Sequence, residues 1–218
     1  MFLHCHREGL PLCSRVSVPA TCSKEHFQSL LDSRGLECID LRHQKFEFDT
    51  SGGPLLVRRP HVSIVNGWVH FKSPGAGDLR GRGRYDGFRV CSKGNYIEGL
   101  RVTGCLFGSA VVVEAGAGVR LRGCNVTAGH CGVRVEASGA RAGLSECRVS
   151  DCGHWGVMAV AGAEVDVEES SLTMNYGGGI YVAGGSRAQV ERTSVRWGPD
   201  SGCMSCTLTG ARLPLVVE

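Results

Sequence analysis

The chain repeats itself at a fixed interval. Val126, Val149, Leu172 and Val195 follow one another every 23 residues. Leu121, Leu144, Val167, Val190 and Leu213 keep the same 23-residue step, as do Cys124, Cys147, Ser170 and Thr193. Upstream the step is 24, from Ile97, Leu100 and Val102 to Leu121, Cys124 and Val126. Leu41 and Phe46 precede Ile64 and Val69 by 23, whereas Ile64 to Ile97 stretches to 33. A constant period of this size marks a chain built from small units that pack only on their neighbours.

Each unit holds short runs in which apolar residues alternate with polar ones. Gly132-Val133-Arg134-Val135-Glu136 is one, followed by Ala142-Gly143-Leu144 and Cys147-Arg148-Val149. Alternation with period two predicts strands with one buried face. Runs this short cannot form separate sheets, but they can stack coil on coil. The row from Leu41 to Leu213 has eight members. Seven steps at ~4.8 Å then predict a rod of roughly 34 Å. The composition fits a narrow, tightly turning coil: Gly fills 32 of 218 positions and aromatics only 6%. Charged residues at 21% and apolar ones at 42% exclude a disordered chain and a membrane-embedded one. A net charge of +3 is too small to point to nucleic acid.

Such stacked runs, among them Gly87-Phe88-Arg89-Val90, Gly156-Val157-Met158-Ala159 and Gly179-Ile180-Tyr181-Val182, resemble the right-handed parallel β-helix of the pectate-lyase-like superfamily. The resemblance spans about residues 36 to 218 and implies an all-β fold, a single right-handed parallel β-helix. Residues 23–35 read as a short helix that Ser23 caps and Gly35 stops, with Phe27, Leu30 and Leu31 on one face. In proteins of this kind such a helix covers the first rung, where an open edge would invite aggregation. Residues 1–22 lack periodicity and read as an irregular arm.

His4-Cys5-His6-Arg7-Glu8 interrupts any apolar signal segment, so the 12 Cys are expected to be reduced thiols in the cytoplasm or nucleus. The Cys124, Cys147, Ser170, Thr193 row reads as small interior spacers rather than a disulfide or metal column. No cofactor is expected.

Function is read from the outward face of the strand that each Gly opens. That column is Arg89, Val112, Arg134, Met158, Tyr181 and Met204, and two residues further lie Cys91, Glu114, Glu136, Val160, Ala183 and Cys206. Carbohydrate enzymes of the superfamily place clustered Asp, or acidic calcium ligands with a basic residue, on this face. Neither pattern occurs in this column. Glu114 and Glu136, one rung apart, are the alternative catalytic pair, as paired carboxylates can cleave glycosides. Arg89 and Arg134 beside them favour a neutralised charge ladder instead. The apolar members of the face suggest a contact surface, with protein the expected partner and carbohydrate second. Neither membrane nor nucleic acid is expected. Arg80, Arg82 and Arg84, in the long interval, add a second candidate binding element. His130 and His154 are expected to stack on adjacent turns, near Asp151 and Cys152, and to satisfy local backbone groups rather than hold a metal. The leading expectation is a non-catalytic β-helix module that binds protein. The alternative is a polysaccharide lyase or glycoside hydrolase.

Overall fold

A computed structural model describes residues 14–73 and 85–197. The first strand, β1 (Ser14–Ser17), is followed by the helix α1 (Lys24–Asp32). The coils begin with β2 (Leu36–Asp40), β3 (Lys45–Asp49) and β4 (Leu55–Val57), then β5 (Ser63–Lys72) with β6 (Phe88–Val90) and β7 (Asn95–Thr103) with β8 (Val111–Val113). Next come β9 (Gly118–Arg122), β10 (Asn125–Thr127) and β11 (Val133–Glu136), then β12 (Arg141–Ser145), β13 (Arg148–Ser150) and β14 (Trp155–Val160). The last are β15 (Glu164–Glu168), β16 (Ser171–Asn175) and β17 (Gly178–Val182), then β18 (Arg187–Glu191) and β19 (Ser194–Trp197).

Adjacent coils pair in parallel, giving a β-helix. One face is a six-stranded sheet in the order β4-β6-β8-β11-β14-β17. The remaining 13 strands form a second sheet folded around a corner. It stays one sheet because β5 and β7 run through a corner that later coils break into two strands.

That corner is a left-handed residue at the same place in successive coils: Asn66, Gly99, Gly123, Glu146, Glu169 and Arg192, with φ between 46° and 61°. Four of these six are not glycine, although such φ values cost a side-chain-bearing residue about 1 kcal/mol or more. Much of the glycine therefore serves another purpose. Gly132, at the entrance to β11, points inward; a Cβ there would lie 2.3 Å from Val149 Cγ1 and 2.6 Å from the Gly156 carbonyl oxygen. Gly87, Gly156 and Gly179 hold equivalent crowded positions in their coils.

The interior consists of stacked columns. Phe46 pairs with Val69, Val69 with Val102, and the series continues through Val126, Val149 and Leu172 to Val195. The neighbouring column starts one strand differently from expectation. Ile39, not Leu41, pairs with Ile64. Arg42 and His43, both left-handed, take up the two extra residues, and Leu41 packs fully buried over Gly67. Cys124, Cys147, Ser170 and Thr193 are buried, and they also bond the corner backbone. Ser170 Oγ accepts from Cys147 N at 3.0 Å and donates to Glu168 O at 2.7 Å; Thr193 Oγ1 accepts from Ser170 N at 3.3 Å. All eight described cysteines are free thiols.

The helix caps the first coil. Ser23 Oγ accepts from His26 N, and Phe27 and Leu31 are fully buried. Phe27 meets Phe48 at 5.3 Å between ring centres, Phe48 meets Phe71 at 6.3 Å, and Phe71 meets Phe88 edge-on at 5.2 Å. The phenylalanines of the core thus lie in the helix and the first coils. Gln28 covers the edge of β4 as a strand would: Nε2 donates to Leu56 O at 2.9 Å and Leu56 N donates to Oε1 at 2.8 Å. Residues 1–22 are not wholly irregular, because β1 pairs with β2 and extends the sheet, tied by Arg15 to Asp40 at 2.6 Å.

Candidate functional site

The outward face of the six-stranded sheet carries the expected column. Leu56 pairs with Arg89, Arg89 with Val112, Val112 with Arg134, Arg134 with Met158 and Met158 with Tyr181. Phe88, Val111, Val133, Val157 and Ile180 point inward and are buried, so the alternation holds. Met204, Arg80, Arg82 and Arg84 lie outside the described residues.

The expected apolar stripe is not an open surface. Val112 is 0% exposed, and Met158, Val160 and Tyr181 are only partly exposed. At Val112 the reason is Asp86, which the alternation from Arg89 onward does not reach. It precedes β6, is 0% exposed, and accepts from Ser109 N at 2.8 Å. Its Oδ2 lies 2.7 Å from Arg89 Nη2 and 3.5 Å from Arg134 Nη2. Arg134, two rungs away from Asp86, must cross the rung of Val112, its paired residue, to reach it.

Glu114 meets Arg89 at 3.2 Å and Glu136 meets Arg134 at 2.9 Å. The charges therefore form a ladder of two guanidiniums and three carboxylates rather than a free acid–base pair. Burial alone would lower the Arg89 pKa; the Asp86 hydrogen bond and the Asp86 and Glu114 charges outweigh it and raise the pKa. Cys91, beside Glu114, is pushed up to about 11 by burial and then by the carboxylate. It is a poor nucleophile at neutral pH.

Beyond the ladder lies an aromatic run. Trp155 stacks on Tyr181 with ring centres 5.0 Å apart at 26°. His154 meets Trp155 edge-on at 5.2 Å, and His130 stacks on His154 at 5.1 Å and 14°. Burial and then the neighbouring His130 lower the His154 pKa. The two histidines stack as their spacing predicts. Neither imidazole hydrogen-bonds the backbone of any described residue, contrary to the expectation for turn histidines. Cys152 does not join them, since its thiol donates inward to Ser150 O at 3.6 Å. Cys131 takes that place.

Asp86, Ser109, Cys131, Trp155 and Gly178 sit three residues before Arg89, Val112, Arg134, Met158 and Tyr181, and Trp155 pairs with Gly178. Sequence reasoning missed this column because it began at the first alternating residue; stepping back three positions would have found it.

Parallel coils stacked on a capped first rung define a β-helix protein, with its candidate site on the six-stranded sheet. Residues 84–204 match the family described as right handed beta helix region. The chain belongs to that right-handed β-helix family. No curated protein and no solved structure matches it.

Proposed function

We propose that this β-helix is a non-catalytic module that binds a protein segment across the sheet of β6, β8, β11, β14 and β17. The observation that carries the reading is the junction of the Arg89–Arg134 ladder with the Trp155–Tyr181 stack. Arg, Trp and Tyr are the side chains that dominate protein interfaces, and here packing and ion pairs already hold them in place. Leu106 and Tyr176, 59% and 64% exposed, lie on the corner before this sheet and enlarge its apolar margin. Glycoside cleavage needs two carboxyls free to face the scissile bond, whereas Glu114 and Glu136 are each held in an ion pair, with Arg89 and Arg134 respectively. A cytoplasmic or nuclear setting accords with free thiols.

The test is cross-linking mass spectrometry of partners bound to the full chain. Wild type should cross-link through this face, and Tyr181→Asp and Trp155→Ala should lose the same partner while keeping the circular dichroism and melting curve. Partners that map to another face and survive both changes overturn the reading. Turnover of a polysaccharide that is lost in Glu114→Gln or Glu136→Gln would favour the carbohydrate enzyme instead.

A further inference from the structure

His130 and His154 occupy the same place on successive coils, with rings parallel to within 14°. Cys131 lies buried beside them, and its Sγ and one nitrogen from each ring all fall within 4.8 Å of one another. Three such donors converging at one point is not a requirement of the fold, since other coils place Ser109 and Gly178 in the Cys131 column. In a tetrahedral zinc centre, bond lengths of about 2.0–2.3 Å put ligand atoms roughly 3.3–3.7 Å apart. The cluster needs a contraction of about 1 Å to meet that geometry. Rotation of His130, whose residue is exposed, can supply it.

A second feature points the same way. Ser109 Oγ, one rung before Cys131 in the same column, is buried with no hydrogen-bond partner. A thiolate on a metal would be the acceptor that this hydroxyl lacks.

We infer that His130, Cys131 and His154 form a Zn2+ site that ties two coils together, with its fourth position open to water or to a partner's donor atom. Two imidazoles and one thiolate select zinc over the oxygen-seeking magnesium and calcium. Three protein ligands and one open position form a recurrent zinc arrangement. The inference does not depend on the face binding protein.

Titration of the purified full chain with Co2+, followed by Zn2+ competition, tests it. Wild type should take up one equivalent, with tetrahedral visible bands and a thiolate charge-transfer band, and Zn2+ should displace Co2+ with a dissociation constant of about 1 μM or tighter. His130→Ala, at an exposed position, should weaken binding by more than the roughly 100-fold that losing an outer-shell partner costs. Cys131→Ser should abolish the charge-transfer band, and His26→Ala, on the helix, should change nothing. Wild type that binds no Zn2+ at this strength overturns the site. So does a charge-transfer band and affinity preserved in both His130→Ala and Cys131→Ser. Melting curves of the metal-free variants separate loss of ligand from loss of fold.

Discussion

Replacing Asp86 with Ala tests whether the charge ladder is held together from below. Asp86 is fully buried and is the shared anion of Arg89 and Arg134, whose side chains are 26% and 21% exposed. Its other oxygen accepts from Ser109 N. Breaking a buried ion pair by removing one partner costs about 3–5 kcal/mol. Here Arg89 keeps Glu114 and Arg134 keeps Glu136, so the expected loss is at the lower end, about 3 kcal/mol. For a chain of this size that is a fall in Tm of roughly 6–12 °C. Asp86→Asn keeps an acceptor for Ser109 and should recover about 1 kcal/mol of it. Urea unfolding of Asp86→Ala, Arg89→Met and the double variant gives the coupling, expected at about 1 kcal/mol or more. A loss under about 1 kcal/mol for Asp86→Ala, with no measurable coupling, would refute the shared-anion account.

Four further outcomes are expected. Gly132→Ala should destabilise by about 2–3 kcal/mol in urea unfolding, because its Cβ meets backbone at 2.6 Å that a side-chain rotation cannot relieve. Ala128→Gly, at φ 57°, should be neutral or stabilising by about 0.5 kcal/mol, whereas Ala142→Gly within β12 should cost about 1 kcal/mol; equal losses would contradict the left-handed conformation of Ala128. Gln28→Ala should expose the β4 edge, lowering stability by about 1–2 kcal/mol and raising light scattering on storage. Hydrogen bonds from Lys45 and Lys72 lower the Glu47 pKa to about 2, so its contribution to stability is complete above about pH 4.5 and is lost as pH falls through about 2. Lys72→Ala should return the Glu47 titration, followed by NMR, toward the ordinary carboxylate range.

The repeat was legible because its apolar residues do one job in every coil: Val126, Val149 and Leu172 stack at the interval their numbering shows. The error at Leu41 arose where two left-handed residues, Arg42 and His43, lengthen a corner without marking it with glycine. The outward column was legible wherever alternation is strict, from Arg89 to Tyr181. Its burial was not, because the Asp86–Arg134 pair that reaches across the rung of Val112 joins residues two rungs apart, a distance that spacing along the chain does not encode. Asp86 and Cys131 were missed for a related reason. They lie where coil becomes strand, and what makes them matter is the partner from another coil.

The left-handed corner makes length a discrete variable in this molecule. Removing residues 146–168 would join Ser145 to Glu169, which has the same backbone conformation as the Glu146 it replaces, φ 48° against 55°. Leu172 would follow Val126 in the core, β18 would succeed β12, and Glu169 would stand where Glu146 meets Arg122. A cut one residue longer or shorter would turn the side chains of β16 to the wrong face unless a turn took up the difference, as Arg42 and His43 do in the first coil. The protein can therefore lose a whole coil more safely than a single residue within a strand. That cut would also remove His154, Trp155 and Met158, shortening the site by one rung while the scaffold closes behind it.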